Sequence, residues 1–506
     1  MTHPFPADVP GYGRLTPYTD GAPCPELPVI KVRADAGTAD KRLPDLAAVI
    51  AATGLRDGMT VSFHHHLRNG DGVLNAVLEA LAQAGIGDLT LAPSSIFAAH
   101  APLLDHIARG TVTGLRTAYM AGPVAQAVSR GALARPVVLH SHGGRARDIE
   151  TGRLAIDVAF IAAAMADRAG NLTGAHGPSA FGPLGYGQVD AARARVTVAV
   201  TDCLVHELPC APDIPAAQVD YIVVLDRIGD AARIVSGTTQ ITTDPKGLRI
   251  AAMAGDLIAA SGLMRGGMSF QTGAGGTSLA VAARLGHLMA DAGVTAGFAS
   301  GGITAPIVAL HRAGLVDRLW NVQSFDLDAV DSYANDPRHH GMSASRYANP
   351  ARADAIVNDL DVMILGATEV GPDFDVNVTT GSSGAIMGGS GGHADAAAGA
   401  KLAIVVSPLV TRAWPRLVGR VTCRTTPGAH IDAVVTEAGI AINPRRPDLV
   451  ERARHAGLPV MTLEAMRALC PPPPPDMPQP GPDTPVVAVC EYRDGSVIDV
   501  VRRSPG

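Results

Sequence analysis

Three landmarks recur in the same order in the two halves of the chain. Ser62-Phe63, ahead of a loop and a helical pattern, has a counterpart in Ser269-Phe270. Ala84-Gly85-Ile86 is matched by Ala292-Gly293-Val294, and Asp157-Val-Ala-Phe-Ile by Asp361-Val-Met-Ile-Leu. The separation is about 205 residues each time, and a steady period over ordered landmarks marks a duplicated unit. Within the first unit, apolar runs of strand length (Val61 to Phe63, Leu89-Thr-Leu-Ala, Val137-Val-Leu, Val196 to Val200, Tyr221 to Leu225) alternate with loops or helical patterns such as Val73 to Ala84. Such alternation specifies a largely parallel sheet covered by helices. The expected fold class is α/β, with two tandem domains. At 506 residues, 47% of them apolar, the chain is long enough for more than one core.

The expected organisation is a Pro/Gly-rich wrap over residues 1–42, an N-terminal domain over 43–228, a C-terminal domain over 229–470, a Pro-rich spacer over 471–485 and a C-terminal hairpin over 486–506. Asp494-Gly495 supplies the hairpin's turn. The first helix is placed from Leu43, with Asp45 in its first turn and Gly54 past its end.

The densest glycine segment runs from Gly366 to Ala400, between two apolar runs that read as buried strands, Asp361 to Leu365 and Leu402 to Val406. Glycines let backbone approach a ligand closely and adopt positive φ, and their N–H groups can line an anion site or oxyanion hole. A loop at a strand end is where open α/β sheets bind ligands.

Other features exclude function classes. Net charge is −6, aromatics are 4% and no long basic run occurs, which argues against a nucleic-acid groove. The cysteines, at 24, 203, 210, 423, 470 and 490, form no CxxC and read as reduced thiols. No secretory h-region and no uninterrupted apolar run of membrane length is present, so no membrane partner and a cytoplasmic location are expected.

Five motifs, Ser62-Phe-His-His-His-Leu-Arg-Asn-Gly-Asp, His142-Gly-Gly-Arg, Gly237-Thr-Thr-Gln-Ile-Thr, Phe270-Gln-Thr-Gly-Ala-Gly-Gly and the Gly366–Ala400 stretch, together resemble the α-subunit family of bacterial citrate lyases, over nearly the whole chain. More distantly, the two halves resemble those of the CoA-transferase fold, in which Gly389-Ser-Gly-Gly-His-Ala-Asp395 is similar to the glycine loop facing the thioester. The resemblance implies a citrate:acetyl-carrier transferase that exchanges acetyl for citryl on an acyl carrier thioester and releases acetate. It implies a β subunit that cleaves the citryl thioester, a γ carrier subunit bearing a dephospho-CoA-type arm, and a Mg²⁺ requirement associated with citrate; no cofactor is expected on this chain itself. Two rival readings remain, a CoA-transferase using free acyl-CoA with another acid, and a non-catalytic scaffold. One departure stands out. Covalent CoA-transferases carry a nucleophilic Glu where this chain reads Phe298-Ala-Ser-Gly-Gly-Ile303, without a carboxylate.

Acyl exchange needs an oxyanion site, for which Gly389, Gly391 and Gly392 are the candidates, with Asn377 as a side-chain donor. Glu369 and Glu437 follow strands and are candidates for nucleophile or orienting base. Gly273, Gly275, Gly276 and Thr277 lie between a strand and a helix and suit the thioester arm. His64, His66 and Arg68, with Arg145, Arg445 and Arg446, are candidate citrate contacts, since Arg binds carboxylates bidentately. No metal site is expected: only His64 and His66 share a face of an extended strand, and no third ligand stands at zinc spacing.

Overall fold

The computed structural model describes residues 6–21, 40–235, 239–474 and 480–505. Two large sheets organise it. In spatial order the first consists of 497–502, 486–491, 137–139, 112–117, 89–93, 60–63, 158–163, 196–201, 221–224 and 42–43. The second consists of 339–341, 316–324, 296–303, 269–272, 362–365, 402–406, 433–436, 439–442 and 460–461. Seven strands, from 137–139 to 221–224 in the first sheet and from 339–341 to 433–436 in the second, follow the same spatial order relative to the sequence, and all are parallel. The duplication thus extends to topology.

The additions to this shared unit differ. The second sheet is extended by the strand Gly439–Ile442, antiparallel to Ala433–Thr436. The first is extended by the C-terminal hairpin, whose residues Ala488, Val489 and Cys490 pair in parallel with Val137, Val138 and Leu139. The hairpin covers an otherwise open edge. Val489 is fully buried with Val9, Leu15 and Val497, so the N-terminal segment is pinned by the C-terminal one. The turn falls at Gly495, with φ +85°.

Arg42 and Leu43 are strand rather than helix, paired with Ile222 and Val223. The helix spans Leu46–Thr53. Asp45 caps it by accepting from Ala48 N at 2.8 Å, and Gly54 closes it at φ +67°. The signals were correct and the start lay three residues further on.

One continuous apolar cluster includes Phe63 and Phe160 of the first half and Val322, Met363 and Val405 of the second. A separate cluster around Phe270, Leu257 and Leu285 underlies the helices Pro245–Ala260 and Gly276–Ala292. The halves therefore share a core, and loops leaving the C-terminal strand ends of both sheets meet across it. Gln323 Nε2 donates to His65 O at 3.2 Å, and the Arg68 guanidinium lies 4.5 Å from the Phe325 ring centre.

Val489→Asp, which buries a carboxylate in the hairpin seam, should lower Tm by on the order of 10 °C. Arg503→Ala, at an exposed position just past the hairpin's second strand, should leave Tm within about 1 °C. Thermal unfolding of the full chain reads both.

Candidate active site

The glycine segment forms a short hairpin, Glu369–Val370 with Val376–Asn377, then a loop, then the helix His393–Gly399. The loop is sewn to the first domain. Met120 N donates to Gly388 O at 3.1 Å, Gly391 N to Ala118 O at 3.1 Å, and His142 N to Gly391 O at 2.7 Å. Ser141 and Gly391 pair as an isolated parallel bridge. Beneath it the buried Asp395 carboxylate accepts from Ser141 Oγ and from Gly143 N, each at 2.8 Å, with Arg493 Nε 3.5 Å away.

Glycine is required here sterically. A Cβ on Gly389 would stand 2.4 Å from Ala118 O, and one on Gly392 2.3 Å from Tyr347 Oη. Gly391 has φ +50°. The same contacts correct the oxyanion assignment, because the Gly391 N–H is already committed to Ala118 O. Among the described residues, the N–H groups of Gly389 and Gly392 make no backbone hydrogen bond and remain available.

Three rings gather beside this loop. The His65 ring centre lies 5.9 Å from that of His142 and 4.7 Å from that of Tyr186, and His142 lies 4.6 Å from Tyr186. Across from them Gln271 Nε2 donates to Tyr347 Oη at 2.7 Å. His64 and His66 do converge, but on each other. His64 Nε2 donates to Ala162 O at 2.9 Å, so its Nδ1 is an acceptor and receives the His66 Nδ1–H at 2.5 Å. His65, between them, stacks on His142 and lies against Tyr186, which His66 also approaches at 5.4 Å. Arg68, at φ +52°, places its guanidinium between Phe97 and Phe325, and burial lowers its pKa.

Several buried polar atoms at this junction have no protein partner: His142 Nδ1, Gln271 Oε1, Ser300 Oγ and Ser390 Oγ. A buried unsatisfied group costs about 1–3 kcal/mol. Gln271 and Ser300 are cross-strand neighbours, Ser390 belongs to the glycine loop, and the His142 N–H donates to that loop's Gly391 carbonyl. These four atoms sit on segments that meet at the domain junction, where water or a polar ligand can satisfy them.

The remaining sequence candidates divide. Gly273 lies close to the glycine segment: a Cβ there would be 3.9 Å from Gly366 N, and Gly366 O accepts from His393 Nε2 at 2.9 Å. Gly275 caps the helix that starts at Gly276, and Thr277 is in its first turn. Arg145 is not a free carboxylate binder. It forms a buried fork with Asp190, at 2.7 and 2.9 Å, and a bond to Ala92 O. Arg445 and Arg446 lie at the opposite rim, because the antiparallel strand Gly439–Ile442 returns the chain to the N-terminal ends of the parallel strands. There Arg446 holds Asp432 and Asp448, and Arg445 faces Asp20 at 3.5 Å.

Asn377 spends its Nδ2 on Glu369 Oε2 and on the carbonyl and hydroxyl of Thr380. Glu369 also accepts from Thr422 N and Oγ1. Both are loop supports. Glu437 accepts from Leu409 N at 2.9 Å. Of the motif Gly237-Thr-Thr-Gln-Ile-Thr, Gly237 and Thr238 lie outside the described residues. Sequence reasoning did not assign His65, His142, Tyr186, Gln271, Ser300, Tyr347 or Asp395 to the site. Four of these, His65, His142, Gln271 and Asp395, stand inside the five quoted motifs, so the motif rather than its glycines and arginines was the usable signal.

The cleft imidazoles are neutral. Burial, with the charge of Arg145 second, lowers the His142 pKa to about 3, and burial lowers that of His393 to about 4. Unfolded histidine titrates near 6.5, so below that pH the unfolded chain binds more protons and stability falls as pH drops. Each histidine should cost on the order of 2 kcal/mol between pH 6.5 and 5. Urea unfolding across that range should show the loss, and His142→Gln should flatten part of the slope.

Two α/β domains closing on a shared glycine loop define a protein of the CoA-transferase fold. The same architecture occurs in 4-hydroxybutyrate CoA-transferase from Porphyromonas gingivalis, at TM-score 0.55 and 16% identity, over 85% of this chain and 96% of that one. The family model for citrate lyase, alpha subunit (CitF), matches residues 40–504, and the chain belongs to that family. It is 46% identical over 470 residues to the citrate lyase alpha chain of Escherichia coli strain K12, covering 92% of this chain and 91% of that one. A chain described as an alpha subunit of citrate lyase from Streptococcus mutans, solved in complex with citrate, is 42% identical, with a TM-score of 0.92 over 100% of this chain and 99% of that one.

Proposed function

We propose that the chain is the transferase subunit of a citrate lyase: citrate displaces acetate from an acetyl thioester carried by an acyl carrier γ subunit, and a β subunit then cleaves the citryl thioester. The reading is carried by the partnerless polar atoms of His142, Gln271, Ser300 and Ser390 around the glycine loop, a set suited to a small hydroxylated polycarboxylic acid. Arg68 is the cation of this junction, and the neutral histidines there offer hydrogen bonds without further charge.

The citrate carboxylate attacks the thioester carbonyl carbon, and the negative charge gathers on that carbonyl's oxygen. Collapse expels the carrier thiolate and leaves an acetyl–citryl anhydride. The thiolate then attacks the citryl carbonyl and acetate departs, so nothing beyond the two substrates is consumed. The N–H groups of Gly389 and Gly392 are the donors placed to stabilise the oxyanion, a contribution of roughly 10²–10³ in rate per donor. In this reading the carrier's dephospho-CoA-type arm lies against the turn from Gly273 to Thr277, between a strand end and a helix N-terminus. Magnesium travels with citrate in this scheme. The one cluster of three metal-capable groups among the described residues, His140, Asp148 and Glu491, has its charge taken by Arg147 and Arg153. Among the described residues no helix is long and apolar enough to cross a membrane, and a cytoplasmic location belongs to this reading.

Purified chain with acetylated carrier and citrate should release acetate and yield a citryl carrier, detected by mass spectrometry. Preference for free acetyl-CoA with a different acid would replace this reading by that of a general CoA-transferase, and no turnover with any acid would leave the scaffold. Gln271→Ala should raise the citrate KM at least about tenfold, the cost of one lost buried hydrogen bond, with little change in the carrier KM.

Initial-rate patterns should be sequential, and no glutamyl adduct should form from acetylated carrier alone. An adduct on Glu369 or Glu437 would restore a covalent route.

A further inference from the structure

We propose a second anion site, on a face of the first sheet away from the cleft, that takes a compact polyanion such as a diphosphate or a tricarboxylate. Thr90, Gly114, Arg116 and Val138 come from three adjacent strands and share one face, since Thr90 pairs with Gly114 and Arg116 with Val138. The segment Gly11 to Thr16 and residues Arg135 and Arg153 wall this face into a cavity of about 400 Å³. Gly114 opens its floor: a Cβ there would press to 2.8 Å from Thr90 Oγ1.

Four arginines line the cavity, Arg14, Arg116, Arg135 and Arg153, and no carboxylate does. The nearest acids stand behind or beside them. Arg153 is held from below by Glu491, at 2.6 and 2.8 Å, and by Asp148 at 2.9 Å. Arg116 stands 3.8 Å from Asp148, which Arg147 already pairs at 2.7 Å. Arg135 meets the exposed Asp88 at 2.8 Å. Arg14 has no ion pair among the described residues. With Asp8, which stands opposite Arg14 in the N-terminal strand pair, five guanidiniums face four carboxylates, a surplus of one positive charge focused into a concave polar site. Guanidinium forks match phosphate and carboxylate oxygens, and the hydroxyls of Thr16 and Thr90 add donors. A ligand with two or more anionic groups a few ångströms apart neutralises the surplus. Strand Val112–Thr117 runs directly from this floor to Ala118 and Met120, which hold the glycine loop, so an occupant sits on the element that anchors the active site.

Isothermal titration of the full chain with inorganic pyrophosphate at low salt should show one site per chain, weakening as salt rises. The double variant Arg14→Ala/Arg135→Ala, at two exposed positions, should bind at least tenfold more weakly while keeping wild-type transferase turnover. Asp88→Asn, which removes the carboxylate competing for Arg135, should bind severalfold more tightly. A parallel titration with citrate separates the sources. Two citrate sites falling to one in the double variant mark a tricarboxylate ligand, and a single citrate site unaffected by the variant, with pyrophosphate binding affected, marks a phosphate one. Absence of pyrophosphate and second-site citrate binding, or binding unchanged in the double variant, overturns the proposal.

Discussion

The structure depends on one seam, the pairing of Ser141 with Gly391 over the buried carboxylate of Asp395. Asp395 lies in the first turn of the helix His393–Gly399, and it accepts from the Ser141 hydroxyl and Gly143 N–H at the start of the helix His142–Glu150. Burial pushes its carboxyl pKa up, while Arg493, Gly143 and Ser141 oppose that push. A buried carboxylate is tolerated only when its oxygens are satisfied, so the seam holds only while both helix starts meet on Asp395; apart, the charge is stranded. This is why a loop so rich in glycine is held in one place. Its freedom is spent on fitting between Ala118 and Tyr347, where any Cβ would collide.

A second network supports the loop from the other side. Glu369 collects donors from Asn377 and Thr422, Asn377 Oδ1 accepts from Thr379 N and Thr380 N, and Thr379 shares a hydroxyl contact with Thr425. The side chains here bond one another as well as the backbone of the loop. The consequence is preorganisation: amides that face a developing oxyanion cost no rearrangement at the moment of reaction.

The fold was legible because its evidence is local and repeated. Strand-length apolar runs and helix stops such as Gly54 and Gly85 are written in adjacent residues, and duplication presents each signal twice. The glycine loop was legible because backbone demands leave a compositional trace. The arginines were not. Whether a guanidinium is available depends on its partner, and the partner of Arg145 is Asp190, separated by a whole βα excursion. Arg445 and Arg446 were misplaced for a topological reason, since one antiparallel strand reverses the rim on which its following loop emerges. Tyr186 and Tyr347 leave no signal in sequence, because a tyrosine in a short apolar helix reads as core until the opposite domain is brought against it.

The missing glutamate can now be placed in space. Phe298 to Ile303 is the end of a central strand of the second sheet, Ala296–Ile303, with a register shift between Gly301 and Gly302. Gly301 has φ +99°, and a Cβ there would meet the Gln271 side chain at 2.6 Å; one on Gly302 would meet the Phe325 ring at 2.4 Å. Phe325 is the ring that packs against Arg68. The room that an acidic side chain would occupy at either position is therefore filled by the groups that line the cleft. Ser300 is left as the nearby hydroxyl. Its acyl ester would be more stable than the thioester it came from, which makes it a trap rather than a relay. The carboxylate that must attack the thioester has to arrive with the substrate, and a cleft with partnerless donors and acceptors but no unengaged carboxylate among its described lining is built to receive one.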